Sequence, residues 1–223
     1  MDLNKLFSLN PRNPIFQHIY IKKLQDRINT INRSRLINTT PTLVCSNCTG
    51  GFIYHWLGLK FNSPFINLFL WPNDFVCALE NWEEFISSDI RESTTNTNTP
   101  YPVGQIITRG GDVSIHFMHY ISFNDAITKW NERKARMEKD PNKIGFMLTN
   151  WEEDITILDR FSKLPFRNKI AFTPGFNRNI PSTYNLTGLE KIKSPKQVYY
   201  TSKFNGERFI DQFDYVKFIN DLK

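Results

Sequence analysis

The sequence predicts an α/β fold: a mostly parallel sheet with helices on both faces, one hairpin and a basic N-terminal helix. Runs of strand length alternate with segments whose apolar residues recur three or four positions apart. Two strand-like runs flank Gly110–Gly111, which indicates a hairpin. Apolar residues form 40% of the 223 residues and aromatic residues 14%, which is enough for a substantial core.

In the first half of the chain, apolar spacing defines the predicted elements in turn. Helical spacing predicts a first helix over residues 14–32. Residues 43–45 form a β-rich run, and the apolar stretch after the next loop predicts a short helix that ends at Gly58. Pro72, a residue common in first helical turns, opens the next helix. A polar loop follows, and we expect residues 88–100 to be poorly ordered without a ligand.

Strands and helices alternate again in the second half. The hairpin strands are expected over residues 103–108 and 113–117. Ser122 and Asp125 form a capping-box variant that opens a helix reaching about residue 137. The remaining expected elements are a strand over 144–148, a helix over 152–163, a strand over 169–172, an irregular segment over 174–195, a strand over 198–200 and a closing helix over 206–222.

Positive charge is concentrated at the N-terminus. Residues 1–38 contain seven basic and two acidic residues, which accounts for most of the net charge of +6. We therefore divide the chain into a basic helical arm (1–38) and one α/β domain (39–223), of which residues 174–223 are a candidate appendage. The arm is either a surface for anionic lipid headgroups or a phosphorylated glycan carrier, or an ordinary solvated helix face.

Several classes of protein are excluded or disfavoured by composition and motifs. No apolar run approaches the roughly 18 residues of a membrane span, and no secretory leader is recognised, so we expect a cytoplasmic protein. Three cysteines are too few for a disulfide scaffold. Nucleic-acid motifs, Gly-rich nucleotide fingerprints and a GxSxG elbow are absent, so we expect no nucleic-acid partner and no cofactor.

The segment TLVCSNCTGGFIYHWLGL at residues 42–59 carries the main candidate site. Cys48 falls in the loop between the first strand and the short helix, where the positive helix end would lower the pKa of its thiol. Gly50 and Gly51 would let a substrate approach the backbone. Asn47 and the amides of Cys48 and Thr49 are candidate donors to an oxyanion.

A thiol nucleophile needs a base, and two histidines of the segment IHFMHY are the candidates. His119 is preferred because it lies in a loop after the hairpin, and His116 is the second choice. The alternative is that His116 is a hydrogen-bonded core residue and His119 only precedes a helix. His55 is interpreted as structural. We expect Asn47, Cys48 and His119 to surround one cleft, provided that the second hairpin strand runs parallel to the first strand of the sheet.

Three further residues are candidate substrate contacts. Asp74 is either a binding group or a first-turn helix residue. Arg133 and Arg136, on the helix after His119, could clamp a phosphate or carboxylate, or could belong to a solvated helix face. Cys45 and Cys48 form a CxxC pattern, but Cys45 falls inside the strand and no second ligand pair is present, so no metal site is expected.

The order of segments resembles one bacterial family. SNCTGGFIYHWLGLKFNSPFINLF is followed by DF, LENWEEF, YPVG, HFMHYISFNDAITKWNERKARM and RFSKLPFRNKIAFT, so the resemblance covers about residues 40–175. Members of this family are built around a domain of unknown function and are often labelled exopolysaccharide biosynthesis proteins, sometimes acetyltransferases. The resemblance implies an α/β fold and a role in surface-glycan synthesis.

A looser similarity runs to a papain-like cysteine peptidase family. Cys48, the LGL segment 57–59 and the SPF segment 63–65 match its order, and His119 matches its histidine. The chain departs from this pattern at Gly50–Gly51, where longer side chains are expected.

Three functional hypotheses follow. The first is a transferase that moves an acyl or similar group onto a glycan, with Cys48 as nucleophile or substrate contact. The second is a non-catalytic module that binds a glycan or its carrier through the aromatic loop 61–71 and the basic helices. The third is a thiol-dependent hydrolase.

Overall fold

The structure is a computed structural model that describes residues 14–94, 98–151, 154–174 and 180–222. The helices are α1 (Pro14–Arg35), α2 (Thr49–Leu57), α3 (Pro72–Glu80), α4 (Trp82–Ser87), α5 (Phe123–Lys134), α6 (Ile155–Lys163), α7 (Lys196–Tyr200) and α8 (Tyr215–Asn220). The strands are β1 (Thr42–Cys45), β2 (Arg91–Glu92), β3 (Val103–Thr108), β4 (Gly111–His116), β5 (Ile144–Thr149), β6 (Lys169–Pro174) and β7 (Thr183–Leu186).

The main sheet is parallel and has the order β1-β5-β6-β7. Val44 lies opposite Phe146 and Phe172 opposite Thr149, so strands β1, β5 and β6 all end at one edge. Residues of β1 and β5 are buried without interruption, as expected for strands covered on both faces. The predicted α/β class is confirmed.

Helices cover both faces of this sheet. Val44, Phe146 and Leu148 pack with α3, α4, α5, α6 and the hairpin, whereas Leu43 and Met147 pack with α2, α7 and α8. Alternate residues of one strand therefore belong to different apolar clusters, which is the consequence of the two-residue period of a strand.

The hairpin forms a sheet of its own, which corrects our expectation of a strand parallel to β1. Its strands β3 and β4 pair antiparallel, and the short strand β2 extends the sheet on the β3 side. The link to the main sheet is a strip at residues 69–70. Phe69 exchanges two backbone hydrogen bonds with His116, at 2.9 and 3.0 Å, and the Leu70 amide donates to the Ser46 carbonyl at 2.9 Å.

The polar segment 88–100 is only partly a loop. Arg91–Glu92 pair with β3, and the Ser93 amide donates to the Val103 carbonyl at 2.8 Å. The expectation of poor order is therefore wrong for residues 91–93, because the edge of β3 supplies backbone partners that composition does not show. Residues 95–97 lie outside the described part of the chain.

The C-terminal third differs from the prediction in three places. The irregular segment contains β7, which pairs with β6 in the main sheet, so these residues are not packed apart from it. The predicted strand at 198–200 is helical in α7. The predicted closing helix is a 3-10 turn at Phe209–Gln212 followed by α8, with Asp214 as the N-cap of α8.

Helix α1 is docked rather than free at its C-terminal end. The buried Asn29 accepts a hydrogen bond from Arg208 at 2.5 Å, and Arg33 donates to the Trp56 carbonyl at 2.7 Å. Arg35 forms an ion pair with Asp214. The basic residues of α1 are thus partly used for packing, and no described helix is long and apolar enough to cross a membrane.

Candidate functional site

The candidate site is built on the turn between β1 and α2. The Ser46 amide donates to the Met147 carbonyl at 3.0 Å and its hydroxyl accepts from the Thr149 amide at 3.1 Å, so the turn is held at the carboxyl edge of the sheet. Cys48 is the N-cap of α2. The helix ends at Gly58 in the left-handed conformation (φ 70°), as predicted.

Cys48 is more enclosed than its position in the sequence suggests. Its side chain is 6% exposed, and its sulfur lies 3.9 Å from the Leu68 carbonyl and 4.0 Å from the Met118 sulfur. Burial raises the pKa of the thiol, although a hydrogen bond from Tyr199 and the charge of Lys196 act in the opposite direction. The expected lowering of the Cys48 pKa is wrong, because desolvation outweighs these stabilising groups.

Cys48 borders two clefts. The first, which we call the histidine cleft, has a volume of about 380 Å³ and contains two exposed imidazoles, those of His55 and His119. Its complete lining is Cys48, Gly51, Phe52, His55, Phe61, Ile66, Asn67, His119 and Tyr200. Asn67 is held at a positive φ of 63°, a conformation that asparagine tolerates better than most residues.

The second cleft, which we call the tryptophan cleft, is smaller and mostly apolar. Its volume is about 130 Å³, and the rings of Trp71 and Trp151 stack along it with centroids 4.6 Å apart. Its complete lining is Asn47, Cys48, Phe69, Trp71, Met118, Trp151, Ser194, Pro195, Lys196 and Tyr199. Asn47 and Cys48 follow β1 and Trp151 follows β5, so the cleft lies at the carboxyl edge where parallel sheets bind ligands.

His119 and His116 have different surroundings. His119 is exposed in a turn and shares the histidine cleft with Cys48. His116 is 7% exposed and stacks on Phe69 with centroids 4.4 Å apart, and its Nδ1 has no hydrogen-bond partner among the described residues. Burial lowers the pKa of His116, which favours a neutral ring. The alternative of a core residue describes His116 better than the role of a base does.

The residues next to Cys48 mainly stabilise the turn itself. The Asn47 side-chain oxygen accepts from the Thr49 amide at 3.0 Å and from the Thr49 hydroxyl at 2.6 Å, so that amide is not free for an oxyanion. Gly50 is buried, and a Cβ there would lie 2.7 Å from the Cys45 sulfur. The group that lies close to the Gly50 backbone is therefore the buried Cys45 side chain and not a substrate. Gly51 does line the histidine cleft.

Asp74, Arg133 and Arg136 lie outside the linings of both clefts. Asp74 is in the first turn of α3, where a carboxylate is favourable for the helix dipole. Arg133 donates to the Tyr120 hydroxyl at 2.6 Å, and Arg136 donates to the Phe61 carbonyl at 3.1 Å. The two arginines thus contact the wall of the histidine cleft from outside its lining, and their role as anion-binding groups stays a prediction.

Sequence reasoning missed most of the residues that complete the clefts. Tyr199 and Tyr200 lie in the predicted strand 198–200, which is helical, Lys196 precedes it, and Trp151 follows β5. His55 projects from α2 into the histidine cleft, although we interpreted it as structural. The only available signal was topological: residues that follow strand β5 meet residues that follow β1 at one edge.

The cysteines and the described acidic and histidine residues show no metal-binding arrangement. Cys45 and Cys77 are buried with free thiols. Within residues 14–94, 98–151, 154–174 and 180–222, no three side chains of histidine, cysteine, aspartate or glutamate are grouped as metal ligands.

Comparisons with known proteins identify a family and one similar protein. The family model of a domain of unknown function, DUF1919, matches residues 19–220. A protein of Haemophilus influenzae that is described as uncharacterized is 38% identical over 197 residues, which cover 86% of this chain and 90% of that protein. Neither match names a reaction.

Proposed function

The chain belongs to the DUF1919 family, and we propose that it is a surface-polysaccharide transferase that moves an acyl group onto a glycan through Cys48. One observation carries the proposal: Cys48 and His119 line the same cleft at the carboxyl edge of the parallel sheet. A thiol, an imidazole and a cleft that holds them together are the parts that covalent acyl transfer requires.

The raised pKa of Cys48 decides how such a site would operate. A buried thiol is protonated at neutral pH, so the thiolate must form during attack rather than in the resting protein. His119 is the first candidate to remove the proton, and His55 is the second because it lines the same cleft. The exposed position of both rings allows them to exchange protons with solvent.

The proposed reaction has two steps. The Cys48 sulfur attacks the carbonyl carbon of an acyl donor while a histidine takes its proton, and the leaving group departs with that proton. A glycan hydroxyl then attacks the thioester carbon, and the histidine passes the hydroxyl proton to the Cys48 sulfur. The net result is acyl transfer from donor to glycan with the thiol restored.

A glycan acceptor is supported by the aromatic walls. Trp71, Trp151 and Tyr199 line the cleft on the other side of Cys48. The C–H face of a sugar ring is apolar and its edge carries hydroxyls, so flat rings with a few polar groups suit it. The resemblance to exopolysaccharide biosynthesis proteins points to the same class of acceptor.

A binding module without catalysis is the second candidate. The enclosed, protonated Cys48 favours it, since the aromatic clefts would still bind a glycan if the thiol never reacted. In that case Cys48 would be a small packed residue of the turn.

Trapping of the acyl-enzyme separates the two candidates. The folded protein is incubated with p-nitrophenyl acetate, quenched in acid and examined by intact-mass and peptide mass spectrometry. Transferase chemistry predicts one acetyl group on Cys48, its loss in Cys48→Ser and slower formation in His119→Ala. Cys77→Ser and His18→Ala are the matched controls. Labelling that is equal in Cys48→Ser and wild type would refute the covalent mechanism.

The location of the enzyme is also a proposal. Lys22, Lys23 and Arg27 are exposed on α1 and are free to face the anionic lipid of a cytoplasmic membrane surface. Sedimentation with phosphatidylglycerol vesicles, but not with phosphatidylcholine vesicles, is expected for the wild type. A variant with all three residues changed to glutamine should remain in the supernatant, and equal sedimentation of both proteins would contradict the proposal.

A further inference from the structure

We infer that the tryptophan cleft binds a phosphorylated sugar, with the phosphoryl group against Asn47 and Lys196 and the sugar ring against Trp71 and Trp151. This inference rests on the proposed function only for the role of the sugar as acceptor. The binding site itself follows from the polar and aromatic groups of the cleft.

Asn47 provides the first observation. Its side chain is 4% exposed and lines the cleft. Both hydrogen bonds of its oxygen are made to Thr49, whereas its Nδ2 is buried and has no partner among the described residues. Buried amide groups are nearly always hydrogen-bonded in folded proteins, so this N–H pair is left as a donor for a group bound in the cleft.

The charge of the tryptophan cleft determines which kind of group the Asn47 amide would bind. Lys196 is the one charged side chain in the described lining, and it acts on Cys48 by lowering its pKa against the effect of burial. The turn also precedes the nine-residue helix α2, whose N-terminal end is positive. An amide donor, an ammonium group and a helix N-terminus together favour an anion such as a phosphoryl group.

The size and walls of the cleft determine what carries the phosphoryl group. About 130 Å³ is well below the roughly 300–1,000 Å³ of a site that encloses a complete small ligand. The cleft therefore encloses one group, and the rest of the ligand extends over its rim. Trp71 is 38% exposed and stacks with Trp151, which leaves an aromatic face at that rim for a sugar ring.

Cys48 connects this site to the proposed chemistry. It lines both clefts, so a sugar held in the tryptophan cleft lies beside the sulfur that would carry the acyl group. The acyl donor then enters from the histidine cleft, next to His55 and His119. Donor and acceptor thus have separate approaches to one sulfur, an arrangement that the two-step transfer permits.

Calorimetric titration of the wild-type protein tests the binding site. The probes are glucose 1-phosphate and N-acetylglucosamine 1-phosphate, each compared with its parent sugar and with orthophosphate. We expect at least one sugar phosphate to bind about tenfold or more tightly than either fragment, because both parts of the cleft are used. No preference for a sugar phosphate over its fragments would overturn the inference.

The natural source of the phosphorylated sugar is addressed with two more probes. Uridine diphosphate N-acetylglucosamine represents a nucleotide-linked sugar, and farnesyl diphosphate-linked N-acetylglucosamine in detergent represents a lipid-linked one. Tighter binding of either probe than of the sugar 1-phosphate supports the site and identifies the source. If neither exceeds it, the free sugar phosphate remains the ligand.

Two variants connect binding to the named groups. Lys196→Gln should weaken sugar phosphate binding about tenfold, whereas Lys193→Gln, on the same segment but outside the lining, should not. Asn47→Asp keeps the oxygen that holds Thr49 and replaces the N–H donor by a carboxylate, so binding should be lost; circular dichroism verifies the fold. Equal affinities in Lys196→Gln and Lys193→Gln would refute the assignment.

Failure of this inference differs from failure of the proposed function. Both properties are measured on the wild-type protein, sugar phosphate binding by calorimetry and acetylation of Cys48 by mass spectrometry. Binding without acetylation of Cys48 would support the phosphorylated-sugar site and reject the transferase. Acetylation of Cys48 without sugar phosphate binding would do the reverse.

Discussion

The Gly50→Ala substitution tests how the turn at Cys48 is held. The added methyl carbon would lie 2.7 Å from the Cys45 sulfur, 3.4 Å from the Cys45 Cβ and 3.8 Å from the Leu43 Cβ. Contacts shorter than 3.0 Å require movement, and here both the helix and the strand side chain are buried. Relieving the contact would push the start of α2, and Cys48 with it, away from β1.

The expected magnitude is the balance of two effects. Overpacking a core position costs typically about 1–3 kcal/mol. Replacing a helical glycine by alanine gains up to about 1 kcal/mol from backbone entropy. Gly51→Ala is the matched control, because its methyl carbon would meet only Ile66, at 3.8 and 3.9 Å. Gly50→Ala should therefore be less stable than Gly51→Ala by about 1–3 kcal/mol.

Urea unfolding followed by tryptophan fluorescence measures the difference. The midpoint of Gly50→Ala should fall at an unchanged slope, and the midpoint of Gly51→Ala should stay or rise. Because the obstacle is one sulfur, Cys45→Ala should cost less in the Gly50→Ala background than in wild type. Equal stability of the two glycine variants, or strict additivity with Cys45→Ala, would refute the packing argument.

The remaining predictions concern the thiol, a buried histidine and a buried arginine. Alkylation of Cys48 by iodoacetamide should be faster than that of Cys45, which is more deeply buried and lines neither cleft. The rate should increase above pH 9 and should fall in Lys196→Gln, since burial raises the Cys48 pKa and Lys196 lowers it; a flat pH profile would contradict this. Burial lowers the pKa of His116 from 6.5, so the unfolded chain binds more protons than the folded protein below that pH. The free energy of unfolding should therefore fall as the pH decreases below 6.5. In His116→Phe this fall should be smaller, and a pH profile identical to that of wild type would exclude His116 as its cause. Arg208 forms a buried ion pair with Asp211, with Nε and Oδ2 2.9 Å apart. Arg208→Ala leaves that carboxylate buried without its partner and should lower the free energy of unfolding by about 3–5 kcal/mol; a thermal midpoint within about 1 °C of wild type would contradict this.

The architecture was predictable because its signals are local. Apolar periodicity located α1, α3 and α5, and the capping residue of α5 is Ser122, whose hydroxyl accepts from the Asp125 amide at 3.1 Å. The paired strands β3 and β4 were indicated by the glycines between them. Elements without such signals were missed: β2 and β7 are short and polar, and they are strands because a neighbouring strand supplies hydrogen bonds.

The position of the Cys48 turn was predictable from the sequence, and the segments that surround it were not. The turn with Cys48 lies at the carboxyl edge of the sheet because a strand followed by a helix in a parallel sheet must end there. His119 lines the same cleft as Cys48, but not because β4 runs parallel to β1 as we expected. The backbone pairing of Phe69 with His116 places the end of β4 beside the Cys48 turn. Pairing between distant segments leaves no periodic pattern in the sequence.

The sequence by itself determined the fold class, the strand–turn–helix unit and the presence of a thiol in its turn, since these depend on residues close together in the chain. Only the tertiary structure decided that the pKa of that thiol is raised, because burial outweighs the Tyr199 hydrogen bond and the Lys196 charge. It also decided that Arg133 supports a wall, and that Lys196 and Trp151 meet Asn47 in one cleft. Desolvation of a group, and the meeting of distant residues in one cleft, depend on which segments pack together in the folded chain. The identity and spacing of single residues do not determine that packing.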